Sequence, residues 1–232
     1  FGSRSIVTGG SAVIEACRKL KEEIILQAAR YFSIPREEIQ LDGERLLKRG
    51  ANGRPEYISD LWAFLRKIGK EVEAYSNFTL KSIPFASGAH LCALTVDKET
   101  GKVNIHRYVV ADDCGRVINE IIVDGQLHGG VAHGIGDMLL SEIPHNEDGA
   151  PLATNFMDYM IPTSLDLPNI ETIHVETPSV LSLNGAKGVG ESGTIGAFPV
   201  VFNALNDALQ GAGEVDIAPA TPEALYKILH KQ

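Results

Sequence analysis

A glycine-rich segment, Gly188–Gly193, carries one carboxylate, Glu191, and leads into the apolar stretch Ser192–Gln210, which has the pattern of a buried helix. Glycines on both sides leave the Glu191 side chain unobstructed, and a carboxylate in such a place can accept a proton as a general base. The free N–H groups at the start of the helix offer a simpler role, because a first-turn carboxylate interacts favourably with them. Both interpretations stay open on these residues alone.

The same segment matches the G-x-G-x-x-G pattern of a nicotinamide-dinucleotide-binding turn, which is a further alternative. That turn should follow a buried strand directly, but residues 179–187 are polar and typical of a loop. The acidic ribose partner should end a second strand about 20 residues further on. Here that region is Asn206-Asp207, inside the expected helix, so the dinucleotide interpretation is the weakest of the three.

Two other segments are chemically suited to a polar ligand. Phe1–Ser5 reads Phe-Gly-Ser-Arg-Ser ahead of a helix, and free N–H groups, hydroxyls and a guanidinium can bind anions. Ile118–Leu140 is apolar, contains five glycines, and carries Gln126, whose amide can both donate and accept hydrogen bonds. Their alternative interpretations are a helix N-cap and close helix packing.

These segments together resemble a known family. Asn184–Gly193 is similar to the catalytic-glutamate segment of the molybdenum hydroxylases, which include xanthine oxidase, aldehyde oxidase and aerobic carbon monoxide dehydrogenase. Asp113–Asn119 with Val123–Ala132 resembles the family's D-x-G…N-P…G-Q-x-x-G-G segment, although Glu120 stands where the proline is usual. Phe1–Ser5 resembles its G-S-R-S segment. The motifs are most similar to the large chain of the carbon monoxide dehydrogenase type.

The resemblance implies a role for each matching residue. Glu191 would be the catalytic base that takes a proton from the water-derived oxygen entering the substrate. Gln126 would contact the pterin of the cofactor. The residues that would line the metal, the cofactor phosphates or the pterin are Gly2, Ser3, Arg4, Ser5, Lys187, Gly188, Val189 and Gly190. The histidines are scattered, and we expect no protein ligand to a metal.

The resemblance also implies a larger assembly. The cofactor would be molybdenum–molybdopterin, in a dinucleotide form, shared with an N-terminal half of the molybdenum subunit that this sequence lacks. Iron–sulfur clusters and FAD would belong to an iron–sulfur subunit and a flavin subunit. We therefore expect either a natural split subunit or a truncated product that is inactive alone and oxidises carbon monoxide, an aldehyde or a heterocycle within the complete enzyme. A non-catalytic assembly partner or remnant domain is the alternative.

The net charge and the cysteine content limit which partners and metal sites this chain can have. The 232 residues carry a net charge of −9, so neither nucleic acid nor an anionic membrane is an expected partner. The three cysteines, Cys17, Cys92 and Cys114, form no C-x-x-C motif, which argues against a metal cluster and favours the reducing cytoplasm.

The expected elements indicate an α+β fold of antiparallel strands with packed helices, the C-terminal portion of the molybdenum-cofactor-binding region. We expect the chain, 1–232, to form this portion in two subdomains of about 1–80 and 88–232. Apolar periodicity and turn residues place the elements. The predicted helices are Ser11–Arg30, a helix from Leu61 ended by Gly69, Ile118–Leu140, Ser192–Gln210 and Pro222–His230. The predicted strands are Ile39–Leu41, Leu46–Leu47, Glu71–Leu80, His90–Asp97, Val103–Ala111, Leu152–Phe156 and Ile170–Glu176.

Overall fold

The computed structural model describes residues 2–230, and Phe1, Lys231 and Gln232 lie outside the described residues. The prediction that Phe1 belongs to the anion-binding segment falls on one of these. The described chain divides into two compact units. The second unit is Thr8–Lys81, and the first consists of the described residues before and after it. The boundaries predicted from the sequence, 1–80 and 88–232, remain a prediction.

The second unit contains two helices and a small antiparallel sheet. A π-helical turn, Ser5–Gly9, leads into α1, Gly10–Phe32, and a 3₁₀ turn at Arg36–Glu38 precedes the sheet. The strands are β1 (Ile39–Asp42), β2 (Arg45–Arg49) and β3 (Pro55–Asp60), paired in that order, and α2 is Leu61–Ile68. The core of this unit is formed by Ile24, Ala28, Ile39, Leu46 and Phe64.

The first unit is built on a second three-stranded sheet. Strands β4 (Ser87–Val96) and β5 (Val103–Asp113) form an antiparallel hairpin, and β6 (Ile170–His174) pairs with β5 in parallel. Between β5 and β6 the chain passes through α3, Glu120–Leu139, which is the crossover a parallel pair requires. The remaining helices are α4, Ser192–Leu209, and α5, Pro222–His230.

One face of this sheet is covered by α3 and α4, which pack closely against each other. Strand β5 alternates so that Tyr108, Val110 and Asp112 point into the core. Glycines make the helix contact close: a methyl group at Gly130 would lie 2.9 Å from Cα of Gly193. Glycines therefore allow the backbones of α3 and α4 to approach each other closely. Close helix packing was the alternative interpretation of the glycines in this segment of the sequence.

Three sequence predictions about strands are wrong. Residues 71–80 form no strand and pair with no other strand among the described residues, although their burial alternates. Residues 152–156 form no strand either; only a single bridge joins His145 to Pro151. Strand β6 runs parallel to β5 rather than antiparallel, and β3 was not predicted. The α+β class itself is confirmed.

Within residues 2–230, no helix is both long and apolar enough to cross a membrane.

The three cysteines are free, and Cys114 is buried. Burial raises the pKa of the Cys114 thiol to about 11, and the nearby carboxylate of Asp112 adds to this. Cys114 is therefore a neutral thiol at physiological pH.

Candidate active site

The glycine-rich loop of residues 184–191 is anchored to the chain that leaves β5. The Lys187 N–H donates to the Cys114 carbonyl at 2.7 Å, and the Arg116 N–H donates to the Gly185 carbonyl at 3.0 Å. Inside the loop, the Ser182 hydroxyl donates to the Ala186 carbonyl at 2.8 Å. These bonds place the loop at the end of the second sheet, directly before α4.

A shielded ion pair ties the loop down. The Lys187 Nζ lies 2.9 Å from Asp113 Oδ2, with the two side chains 13% and 12% exposed. The other oxygen of Asp113 accepts from the Gly115 N–H at 2.9 Å and the Thr177 N–H at 3.1 Å. Burial acts to raise the pKa of Asp113, but Lys187 and these N–H donors outweigh it and lower the pKa to about 2. Asp113 is thus a charged carboxylate whose two oxygens both bind groups of this chain.

The N-terminal segment meets the loop from the other side. The Val189 N–H donates to Ser3 Oγ at 3.1 Å, and the Asn184 Nδ2 donates to the Ile6 carbonyl at 2.6 Å. The Gly2 N–H donates to Glu191 Oε1 at 3.3 Å. The two segments that the sequence singled out for anion binding and for the base therefore lie together.

Glu191 stands at the mouth of a cavity of about 410 Å³. The carboxylate is exposed, at the N-cap of α4, without a capping hydrogen bond from its side chain. In the structure Glu191 is exposed, and the Lys187 ammonium is bound to Asp113.

The cavity is lined by both predicted and unpredicted residues. The predicted ones are Gly2, Gly188, Val189 and Glu191. The unpredicted titratable ones are His90 and Asp112, and the rest are Ile83, Pro84, Phe85, Ala86, Ser87, Gly88, Ser192, Ile195 and Gly196.

The other predicted site residues differ in their positions. A methyl group at Gly190 would lie 3.2 Å from Gln126 Nε2, so the Gln126 amide is beside the loop. Ser3 contacts the loop through its hydroxyl. Arg4 and Ser5 are exposed and lie outside the described cavity lining. Lys187 can meet a ligand only through its backbone while its ammonium holds Asp113.

His90 forms a fixed part of the cavity wall. Its Nδ1 lies 2.6 Å from the Tyr108 hydroxyl, and a methyl group at Gly196 would overlap its ring. Burial lowers the pKa of His90, opposed in part by the Ser192 backbone. Burial also raises the pKa of Tyr108. Both side chains are therefore neutral at physiological pH and act as one hydrogen-bonded unit.

Asp112 was missed by sequence reasoning. It is 1% exposed, and neither carboxylate oxygen has a hydrogen-bond partner among the described residues. Burial raises its pKa, Ser192 opposes this, and the charge of Asp113 adds to it. The alternation Tyr108, Val110, Asp112 along β5 could have revealed an inward-facing carboxylate.

The loop does not have the layout of a dinucleotide-binding turn. The last strand before it is β6, which ends at His174, well ahead of Gly188. The stretch between them is irregular apart from one bridge that joins Gly115 to Ala186. A G-x-G-x-x-G turn for a dinucleotide should instead join a strand to a helix directly.

Comparison with known proteins identifies the family. The family model described as molybdopterin cofactor-binding domain matches residues 1–168. The chain belongs to this family. The match ends before the loop, so it covers the Ser3 and Gln126 segments but not Glu191.

Individual relatives cover the loop as well. The chain is 33% identical to the carbon monoxide dehydrogenase large chain of Afipia carboxidovorans, over 98% of this chain and 29% of that protein. It is 35% identical to the nicotine 6-hydroxylase large subunit of Paenarthrobacter nicotinovorans, over 98% and 29%. The structure matches quinoline 2-oxidoreductase from Pseudomonas putida 86 with a TM-score of 0.87 and 29% identity, over 100% and 31%. The chain thus spans about a third of the length of these relatives, and the resemblance read from the sequence is confirmed.

Proposed function

We propose that this chain supplies the general base and part of the pterin-binding surface of a molybdenum-dependent hydroxylase or dehydrogenase. The observation that carries the proposal is the position of Glu191, beside a cavity and at the end of a loop held by the Asp113–Lys187 pair. A general base needs a carboxylate whose position is fixed by its surroundings and which is open to the reacting group. The hydrogen bond from the Gly2 N–H and the exposure of the carboxylate support this role for Glu191.

The residues around the loop fit a molybdopterin cofactor. Glycine at 188 leaves the backbone open, since the nearest atom to an added methyl group would be Ser3 Oγ at 3.9 Å. A flat pterin could approach this backbone closely, with the Gln126 amide at hand to donate and accept hydrogen bonds. Gly2, Ser3, Gly188, Val189 and Gly190 would form this surface together with Gln126. When bound, the cofactor would supply the metal that transfers a water-derived oxygen to the substrate and accepts two electrons.

The chain's own part in the reaction is proton transfer. Glu191, held by the Gly2 N–H, would take the proton from the attacking oxygen. The apolar side chains of Ile83, Phe85 and Ile195 on the cavity wall would exclude water around a small substrate. The substrate class comprises carbon monoxide, an aldehyde or a heterocycle, and the names of the relatives include carbon monoxide and nicotine.

The proposal extends to an assembly. The matches to about a third of longer molybdenum proteins support a shared site, with the remaining cofactor contacts made by an N-terminal half of the same subunit. We propose a dinucleotide form of the cofactor, and iron–sulfur and FAD-containing subunits that carry electrons away, in the cytoplasm.

The test is Glu191→Gln in the complete enzyme, with Glu147→Gln as the matched control on an exposed loop. We expect Glu191→Gln to lower kcat by about 10²–10⁴-fold, the usual contribution of a general base. Molybdenum content, measured by mass spectrometry, should stay at the wild-type level in both variants. Near-normal turnover of Glu191→Gln would remove this residue from the chemistry.

A second test concerns the isolated chain. If half of the cofactor surface comes from elsewhere, the purified chain should hold little molybdenum. Stoichiometric molybdenum in the chain alone would contradict the shared site.

A further inference from the structure

The proton that Glu191 takes up must leave before the next turnover, and the cavity wall offers few groups that can receive it. Among the described lining residues, the titratable side chains besides Glu191 are His90 and Asp112. His90 is neutral and bound to Tyr108 through Nδ1. Asp112 alone presents two acceptor oxygens that no other described group engages.

Two residues hold the buried polar atoms that lack a hydrogen-bond partner in this part of the molecule. In residues 2–230, the buried side-chain polar atoms without a hydrogen-bond partner are both oxygens of Asp112 and Nδ1 of His174. The two residues are register partners on the parallel strands β5 and β6, so their side chains lie on the same face of the sheet. His174 is also close enough to influence the pKa of Asp112.

The other ring nitrogen of His174 leads to the surface. His174 Nε2 lies 2.9 Å from Asp124 Oδ1 on α3, and the Asp124 side chain is 32% exposed. Glu120, one turn earlier on α3, is exposed, and its carboxylate lies within 4.8 Å of the same atoms. A series of proton-binding groups therefore extends from the cavity to solvent.

We propose that Asp112 and His174 form a proton path from Glu191 to Asp124 at the surface. The path rests on the proposed function, because it serves the proton that Glu191 removes. One proton moves per turnover and no electrons move with it. An O–H bond at Glu191 breaks and one forms at Asp112. Ser192 follows Glu191 in the chain and influences Asp112, so its hydroxyl is the group that we place between them.

The second half of the path uses the imidazole. Asp112 gives its proton to Nδ1 of His174 when the two side chains move to hydrogen-bond distance, since neither Nδ1 nor the Asp112 oxygens have a partner among the described residues. The Nε2 proton then passes to Asp124, 2.9 Å away, and Asp124 releases it to bulk water. Exchange with water, in which the N–H bond at Nδ1 breaks and one forms at Nε2, then restores the starting tautomer of His174. Asp112 suits the first step because an unpartnered buried carboxylate is costly, and taking up a proton removes that cost.

The titratable and polar groups around Asp112 come from every neighbouring element. His90 lies on β4, His174 on β6, Asp113 follows in β5, Lys187 comes from the loop, and the Ser192 hydroxyl comes from the start of α4. Ser192 favours the charged form of Asp112 without forming a hydrogen bond to it in this structure. The pKa of Asp112 rises on balance, since burial and Asp113 outweigh Ser192, His174 and Lys187.

The experiment compares Asp112→Asn and His174→Gln in the complete enzyme, with His106→Gln as the control. His106 lies on β5 but is exposed and bonds to Thr95. Rapid mixing with the substrate that the wild-type enzyme oxidises would separate the first turnover from steady-state turnover. We expect the first turnover to change less than about twofold and kcat to fall on the order of tenfold or more for both path variants, within the range of a proton-transfer step. The defect should shrink as pH rises, because hydroxide or buffer base entering the cavity can then take the proton from Glu191.

A second measurement needs no turnover. Infrared difference spectra, recorded as pH is lowered from the working range, should show the C=O band of a buried carboxylic acid appearing as Asp112 takes up a proton, a band that Asp112→Asn removes and Glu191→Gln keeps. His174→Gln should shift the pH at which this band disappears. An absent band, or a wild-type kcat and pH profile in Asp112→Asn, would overturn the path. If Glu191→Gln proved fully active while the band behaved as expected, the proposed function would fail and the coupled pair would stand.

Discussion

The glycines of α3 and those of the loop at residues 184–191 lie in different surroundings. In α3, Gly130 faces Gly193 of α4 so closely that a methyl group on either would meet backbone atoms within 3 Å. In the loop, Gly188 faces open space beside the cavity. The first region is held by close packing of backbones, and the second by an ion pair and hydrogen bonds. Glycine-rich sequence therefore has two physical meanings in one molecule, and each can be tested separately.

The largest effect should come from Gly193→Ala. Its methyl group would lie 2.6 Å from the Leu127 carbonyl oxygen and 2.9 Å from the Val131 nitrogen, and backbone atoms cannot move aside cheaply. We expect the free energy of unfolding to fall by about 3 kcal/mol, at the upper end for overpacking. Urea denaturation followed by circular dichroism would measure it.

Gly188→Ala is the matched control, because its methyl group meets nothing closer than 3.9 Å. Its stability should stay within about 0.5 kcal/mol of the wild type. Equal destabilisation by the two variants would show that packing does not distinguish these regions.

Low pH should weaken the Asp113–Lys187 pair that holds the loop at residues 184–191, but it should not affect the packing of α3 against α4. The pKa of Asp113 is lowered to about 2 from an ordinary value of 3.8. A carboxyl group whose pKa is lower in the folded state stabilises fully above its unfolded pKa and loses that contribution as pH falls through its folded pKa. The loss should thus occur between about pH 4 and pH 2 and amount to at most about 2 kcal/mol before solvent screening.

The measurement is the unfolding free energy against pH for the wild type and Asp113→Asn. Asp113→Asn should be less stable than the wild type at neutral pH, because Lys187 has lost its charged partner. Its stability should depend less on pH below 4, because asparagine has no carboxyl group that acid can protonate. A variant with an unchanged pH dependence would mean that other carboxylates dominate the acid response.

Among the variants expected to change stability, the smallest effect is expected at Gly129, on the exposed side of α3. An added methyl group meets nothing within 4 Å there. Alanine is the better helix former by roughly 0.5–1 kcal/mol, so Gly129→Ala should stabilise the purified chain by about that amount. Chemical denaturation would detect it. Destabilisation would show that a helix glycine without close contacts still has a structural role.

Local patterns predicted the regular elements well. Apolar periodicity predicted a helix over Ser11–Arg30, which corresponds to α1, and strands over His90–Asp97 and Val103–Ala111, which form the β4–β5 hairpin. Each of these signals acts between residues that are near in the chain. The segment 71–80 failed because alternation reports one-sided burial, and it does not supply a strand partner.

Longer-range relations were less accessible. The parallel pairing of β6 depends on the crossover through α3, which fixes direction over a long connection. For the site, the motifs located Glu191, Gln126 and Ser3, whose proximity the structure supports. Asp112 was not predicted as a site residue, because what distinguishes it is the lack of hydrogen-bond partners for a buried carboxylate. Only the three-dimensional packing shows this.

The hydrogen bond from the Val189 N–H to Ser3 Oγ has a consequence for how the molecule is made. It joins residues 186 positions apart, and the first few residues belong to the first unit while Thr8–Lys81 form the second. During synthesis, the Ser3 hydroxyl cannot accept this bond until the chain near Val189 has been made. At about 5–20 residues per second that delay is on the order of ten seconds or more, during which the second unit can fold. The contact between these two segments can therefore form only after Thr8–Lys81 has been made.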